Sequence, residues 1–109
     1  MTEQQILKQF SENIKMQFDV YDITVYRNND IIFGKKQDCC YLLERYLSMT
    51  CTTIFKENSS SSLVTHIKVK SNLYIIVLHS KNEKAFDGLE SQYIITVMKQ
   101  LQRKLGEYT

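Results

Sequence analysis

The stretch that decides the fold is Leu63-Val64-Thr65-His66-Ile67-Lys68-Val69-Lys70, then Ser71-Asn72, then Leu73-Tyr74-Ile75-Ile76-Val77-Leu78. Its first part alternates, with Leu63, Thr65, Ile67 and Val69 on one side and Val64, His66, Lys68 and Lys70 on the other. Successive side chains of a strand point to opposite faces, so this is a strand with two unlike faces. Its last part is apolar on both faces, as a central strand is. Ser71-Asn72 between them is turn chemistry. An antiparallel sheet follows, and the flanking elements have to be fitted to it.

Upstream, Thr50 to Phe55 is β-branched and aromatic and reads as a strand, while Asn58 and Ser59–Ser62 read as a flexible polar loop. Before that strand, Asp38 can cap a helix carrying Cys39, Leu42, Leu43, Tyr46 and Leu47 at helical spacing. Earlier still, Tyr21 to Tyr26 has Ile23 and Val25 on one face, and Ile31-Ile32-Phe33 returns from a tight turn at Asn28-Asn29-Asp30, with Gly34 ending it. These two strands make a hairpin. At the N-terminus Thr2 can cap a helix, Glu3 sits in its first turn, and Ile6, Leu7, Phe10 and Ile14 form one stripe that fades near Gln17. Downstream, Ser80–Lys84 is a loop. Leu89, Tyr93, Ile94, Val97, Met98, Leu101 and Leu105 define a long amphipathic helix, and Gly106 is placed to stop it.

The order α-β-β-α-β-β-β-α predicts one domain over residues 1–109, an α+β fold with a five-stranded antiparallel sheet. The first and last helices, each with a single apolar stripe, are expected on one face and the middle helix on the other, a three-layer α/β/α sandwich.

Composition sets bounds. The chain has 109 residues, with 14 Lys+Arg against 12 Asp+Glu, so the electrostatics make no case for nucleic acid. Only three glycines occur (Gly34, Gly88 and Gly106), well separated, which excludes a glycine-rich phosphate loop. The longest apolar run, Leu73–Leu78, is far shorter than the roughly 20 residues that span a bilayer, so membrane insertion is not expected. Met1 to Phe10 lacks the basic and apolar regions of a signal peptide. Cys39, Cys40 and Cys51 are odd in number and two are adjacent, which points to reduced thiols and a cytoplasmic protein. Their redox role is open: Lys35, Lys36 and a helix N-terminus would lower the Cys40 pKa, and Asp38 and Glu44 would raise it.

No motif names a reaction. His66 and His79 have neither C-x-x-C nor H-x-x-x-H spacing around them, so no metal and no cofactor are expected. There is no nucleophile elbow or ordered triad, and no enzymatic activity is expected. Lys68 and Lys70 share a strand face with His66, while Lys99, Arg103 and Lys104 crowd the last helix. Without interleaved aromatics these read as solvated faces rather than an RNA or lipid patch.

The aromatic residues carry more. The chain has seven Tyr and five Phe, and Tyr41, Leu42 and Tyr46 lie on the middle helix beside the strand Thr53–Phe55. A helix beside an edge strand leaves apolar area and unpaired backbone groups, and proline is absent from the whole chain. Symmetric dimerisation would cover both.

With this order of elements the chain resembles the roadblock/dynein-light-chain family. The resemblance is carried by four stretches: the opening helix leading into Asp22-Ile23-Thr24-Val25-Tyr26 and Ile31-Ile32-Phe33-Gly34; the middle helix; the strand pair around the serines; and Asn72–Leu78 followed by Phe86-Asp87-Gly88-Leu89 and the last helix. It implies a non-enzymatic homodimeric or heterodimeric scaffold that regulates or anchors small GTPases, motors or larger multi-subunit complexes. It also implies a dimer surface at Tyr41, Leu42, Arg45 and Tyr46 of the middle helix and Thr53, Ile54 and Phe55 of the adjoining strand. The alternative resemblance is to a GAF- or PAS-like sensor domain. That would place a small-molecule pocket among Tyr26, Phe33, Cys39 and His66.

Overall fold

Thr2 begins the first helix as expected and adds a reciprocal bond. Its hydroxyl accepts from the Gln5 backbone N–H at 3.2 Å, and the Gln5 side chain accepts from the Thr2 N–H at 2.9 Å. This capping box satisfies two of the donors that a helix start leaves unpaired. Helix α1 (Glu3–Gln17) then buries Ile6, Leu7, Phe10 and Ile14, the predicted stripe. In the computed structural model, residues 2–34, 53–57, 59–87 and 91–108 are described. The helix expected from Asp38 onward lies outside them, as do all three cysteines.

Five strands follow: β1 (Asp22–Arg27), β2 (Asp30–Phe33), β3 (Thr53–Glu57), β4 (Ser60–Val69) and β5 (Asn72–Ser80), with a final helix α2 (Ser91–Tyr108). They form one antiparallel sheet in the order β2-β1-β5-β4-β3. The apolar strand β5 is central, and residues 74 to 80 are buried along it. The fold is therefore α+β, with a five-stranded antiparallel sheet and two helices among the described residues.

Both helices lie on one face. Their buried residues pack with Ile23 and Val25 of β1, Leu63, Ile67 and Val69 of β4, and Tyr74, Ile76 and Leu78 of β5. Burying each such side chain fully is worth about 1.5–3 kcal/mol, so this layer is the main source of stability. The opposite face has its own buried cluster, Tyr26, Phe55, Val64, Ile75 and Val77.

The turns explain the register. Asn28 and Asn29 both have positive φ (50° and 76°), and Arg27 pairs with Asp30, so the hairpin loop is two residues long. Asn tolerates this backbone region, and hairpins with such loops match the twist of their strands. Asp30, expected in the turn, is already the first residue of β2. The side chain of Asn28 also accepts from the Leu73 N–H at 2.9 Å and donates to Asn72 at 2.9 Å, holding the hairpin tip to the start of β5. At the other end Gly34 has φ +83°, and a Cβ there would collide with the Ile23 carbonyl oxygen.

Further expectations are corrected. Ser60–Ser62 is strand rather than loop: it pairs with Lys56, Phe55 and Glu57 of β3, and Ser61 and Ser62 pair with Ser80 and His79 of β5. Ser61 is buried, and its hydroxyl donates to the Asn82 carbonyl at 2.7 Å, so a polar side chain meets its hydrogen bond inside the fold. Gly106 does not stop α2, which continues to Tyr108. It sits against Val69, whose Cγ1 would be 4.0 Å from an added Cβ.

Candidate interaction surface

Strand β3 stands at one end of the sheet order, and among the described residues no sixth strand follows it. Its register with β4 settles where its side chains go. Phe55 pairs with Ser62, on the face of the second cluster, and is buried there. Ile54 pairs with Leu63, on the helix-covered face, and is 40% exposed. Thr53 is half-buried. Of the expected dimer surface, then, Ile54 offers exposed apolar area and Phe55 packs inward. Tyr41, Leu42, Arg45 and Tyr46 lie outside the described residues. Lys56 pairs with Asp87 at 2.6 Å, which ties β3 to the turn that follows β5.

The residues of the alternative pocket are not brought together. Tyr26, Ile75 and His66 form a row across β1, β5 and β4 on the face opposite the helices, with Tyr26 buried and His66 exposed. Phe33 is on the other face, half-buried against the core beneath the helices. A β-bulge is the cause. Tyr26 pairs with Ile31, but the register then shifts and Val25 pairs with Phe33, leaving Ile32 as the extra residue. One inserted residue reverses the facing of everything beyond it. Cys39 lies outside the described residues.

His79 is where chemistry would be sought. It is 4% exposed, near the end of β5. Its Nε2 is 3.3 Å from the Thr24 hydroxyl and its Nδ1 is 3.4 Å from the Ser62 hydroxyl. Burial pushes its pKa down, and the nearby Asp22 carboxylate partly offsets this. The imidazole is thus a neutral ring held between two hydroxyls, with Tyr21 tilted against it at 6.2 Å. Both nitrogens are engaged and the ring is shut from solvent, so it serves to join β1, β5 and β4. Among the described residues no group of three His, Cys, Asp or Glu side chains could hold a metal ion. No described helix is long and apolar enough to cross a membrane.

Two features had no individual sequence signal. Glu3 receives Arg27 and Tyr74 on its two carboxylate oxygens. The second is a cleft between β4 and α2, lined among others by Ile67, Ile95, Met98 and Lys99. It depends on where α2 crosses the sheet, which no local pattern reports.

No protein-family model matches the chain, and no curated protein matches it.

Proposed function

We propose that this protein is a non-enzymatic dimeric scaffold or regulatory subunit of the roadblock type, which binds or regulates a small GTPase or a motor or trafficking complex. The observation that carries the reading is the end position of β3, with Ile54 exposed on it, in a sheet whose two described helices share one face. In this reading the helix expected over residues 39–47 forms the third layer, on the face of Tyr26, Phe55, Val64, Ile75 and Val77. Two copies then join β3 to β3 and helix to helix, which continues the sheet and covers Ile54 and the tyrosines. An edge strand is a template for one more strand on its open side, and a symmetric pair satisfies both copies at once.

Light scattering at low micromolar concentration tests this. The expected mass is that of a dimer, with Ile54→Asp and Tyr46→Asp both giving monomers because each puts a charge into an apolar contact. A wild-type monomer overturns the homodimer. A monomer that pairs only with a related chain identifies a heterodimer.

A further inference from the structure

We infer that Gln4 is a strap that closes the β2 edge of the sheet against the addition of a strand from a second copy. β2 stands at the end of the strand order opposite β3, and among the described residues no strand lies beyond it. A sheet edge presents unpaired N–H and C=O groups to any extended chain. On β2 little of that template remains. The strand is four residues long, Asp30–Phe33. Asp30, Ile31 and Phe33 pair with β1, and Ile32, the extra residue of the bulge, has no partner there. The Ile32 carbonyl accepts instead from Nε2 of Gln4 at 2.5 Å, across 28 positions of sequence.

The contact is held in place from its other side. Gln4 follows Glu3 in the first turn of α1, and Glu3 is bound by Arg27 and Tyr74. Arg27 pairs with Asp30, so α1 is anchored at the base of the same hairpin whose edge Gln4 covers. The bulge adds to the closure, because it bends the strand and interrupts the even spacing of its backbone groups. Asp30 is exposed and puts a charge at the head of the edge. What stays open is Ile31, whose side chain is 36% exposed. With β2 closed, copies that join through β3 stop at two. A sheet open at both ends presents two unlike strands, and pairing between unlike strands runs on into filaments. The stop at two rests on the scaffold reading above; the closure of β2 does not.

The test compares the full-length wild type with Gln4→Ala by light scattering, over a concentration series from micromolar to millimolar. Gln4→Ala should rise in mass along the series and at least double the wild-type mass at its top. Gln4→Lys keeps a donor at this position and should follow the wild type. Ile31→Lys added to Gln4→Ala should restore the wild-type mass, because a lysine on an edge strand opposes pairing. Amide exchange locates the association: at high concentration the Ile31 and Ile32 amides should slow in Gln4→Ala and not in the wild type. Gln4 and Ile31 are both exposed, and a thermal melt verifies that the variants fold. Gln4→Ala with the wild-type mass throughout the series overturns the inference. So does extra association that Ile31→Lys leaves intact, since it then runs through another surface. A monomeric wild type would defeat the homodimer and leave this comparison of variant with wild type in force.

Discussion

Tyr74 donates its phenolic hydroxyl to Oε2 of Glu3 at 2.7 Å, joining the first turn of α1 to the central strand across 71 positions of sequence. Arg27 at the end of β1 donates to the other oxygen, Oε1, at 2.6 Å. The tyrosine is fully buried and its hydroxyl needs a partner there; the carboxylate supplies it, and Arg27 compensates the carboxylate's charge. The pairing also raises the Arg27 pKa, through the Glu3 hydrogen bond first. A first-turn acidic residue thus does more than favour a helix dipole. It sets how α1 lies on the sheet.

Removing that donor while keeping the ring, Tyr74→Phe, should cost about 1–2 kcal/mol in urea unfolding. The same tyrosine should titrate late. Burial, and then its bond to Glu3, pushes the Tyr74 pKa up to about 12. The folded value is above the unfolded one, so the stabilisation is complete below about pH 10 and is lost as pH rises through the folded value. A shift of this size corresponds to about 2–3 kcal/mol. Tyrosinate absorbance should show a late-titrating ring in the wild type that is missing from Tyr74→Phe. Identical alkaline limbs of stability in the two proteins would contradict the assignment.

Acid should act through His79. Its folded pKa lies below the ordinary value of about 6.5, because burial penalises the imidazolium more than Asp22 favours it. The unfolded chain therefore takes up the proton first as pH falls. The contribution of His79 is fully present above about pH 6.5 and is lost as pH falls toward the folded pKa. Urea unfolding at neutral pH and at about pH 5 should show a larger loss for the wild type than for His79→Gln. An equal loss would place the acid sensitivity elsewhere.

Most of the fold is readable in the chain because its signals are local. The stripe Ile6, Leu7, Phe10, Ile14, the alternation of Leu63–Lys70, and the double-faced β5 each report burial by spacing alone. What the sequence leaves unread is set by partners. Serine is a turn former by composition, and nothing in Ser60–Ser62 announces the strands on either side of it. Gly106 is a helix stop only if the chain leaves the helix there, and Val69 beneath it is distant in sequence. Phe33 and Tyr26 share a face by simple alternation back through the turn, but the bulge at Ile32 separates them. The candidate surface is partly legible: the β-branched and aromatic run identifies β3, while the facing of Ile54 and Phe55 follows only from the register with β4.

The strand assignment of the serines has a direct readout. Amides of Ser61 and Ser62 should exchange slowly with solvent, at protection comparable to Leu63, because the segment is paired on both sides. Ser61→Ala removes the buried hydroxyl that reaches the Asn82 carbonyl and should cost about 1 kcal/mol. Fast exchange at both serines would restore the loop.

Gly34 offers a sharper test of the hairpin geometry. Its φ of +83° is a region that side-chain-bearing residues rarely adopt, and the atom an added Cβ would strike is the backbone oxygen of Ile23. A flexible side chain could move aside; the backbone of β1 cannot do so without disturbing its ladder with β5, in which Ile23 pairs with Leu78. Gly34→Ala should therefore cost about 1–3 kcal/mol or more, since the strain of the conformation and the collision both contribute. Gly106→Ala is the matched control. It adds the same methyl group in a helix, at ordinary contact distance from Val69 and with no unusual φ, and should be neutral or stabilising by up to about 1 kcal/mol. In thermal melts Gly34→Ala should fall below the wild type and Gly106→Ala should melt at or above it. If Gly34→Ala melts with the wild type, the end of β2 does not approach Ile23 as closely as described.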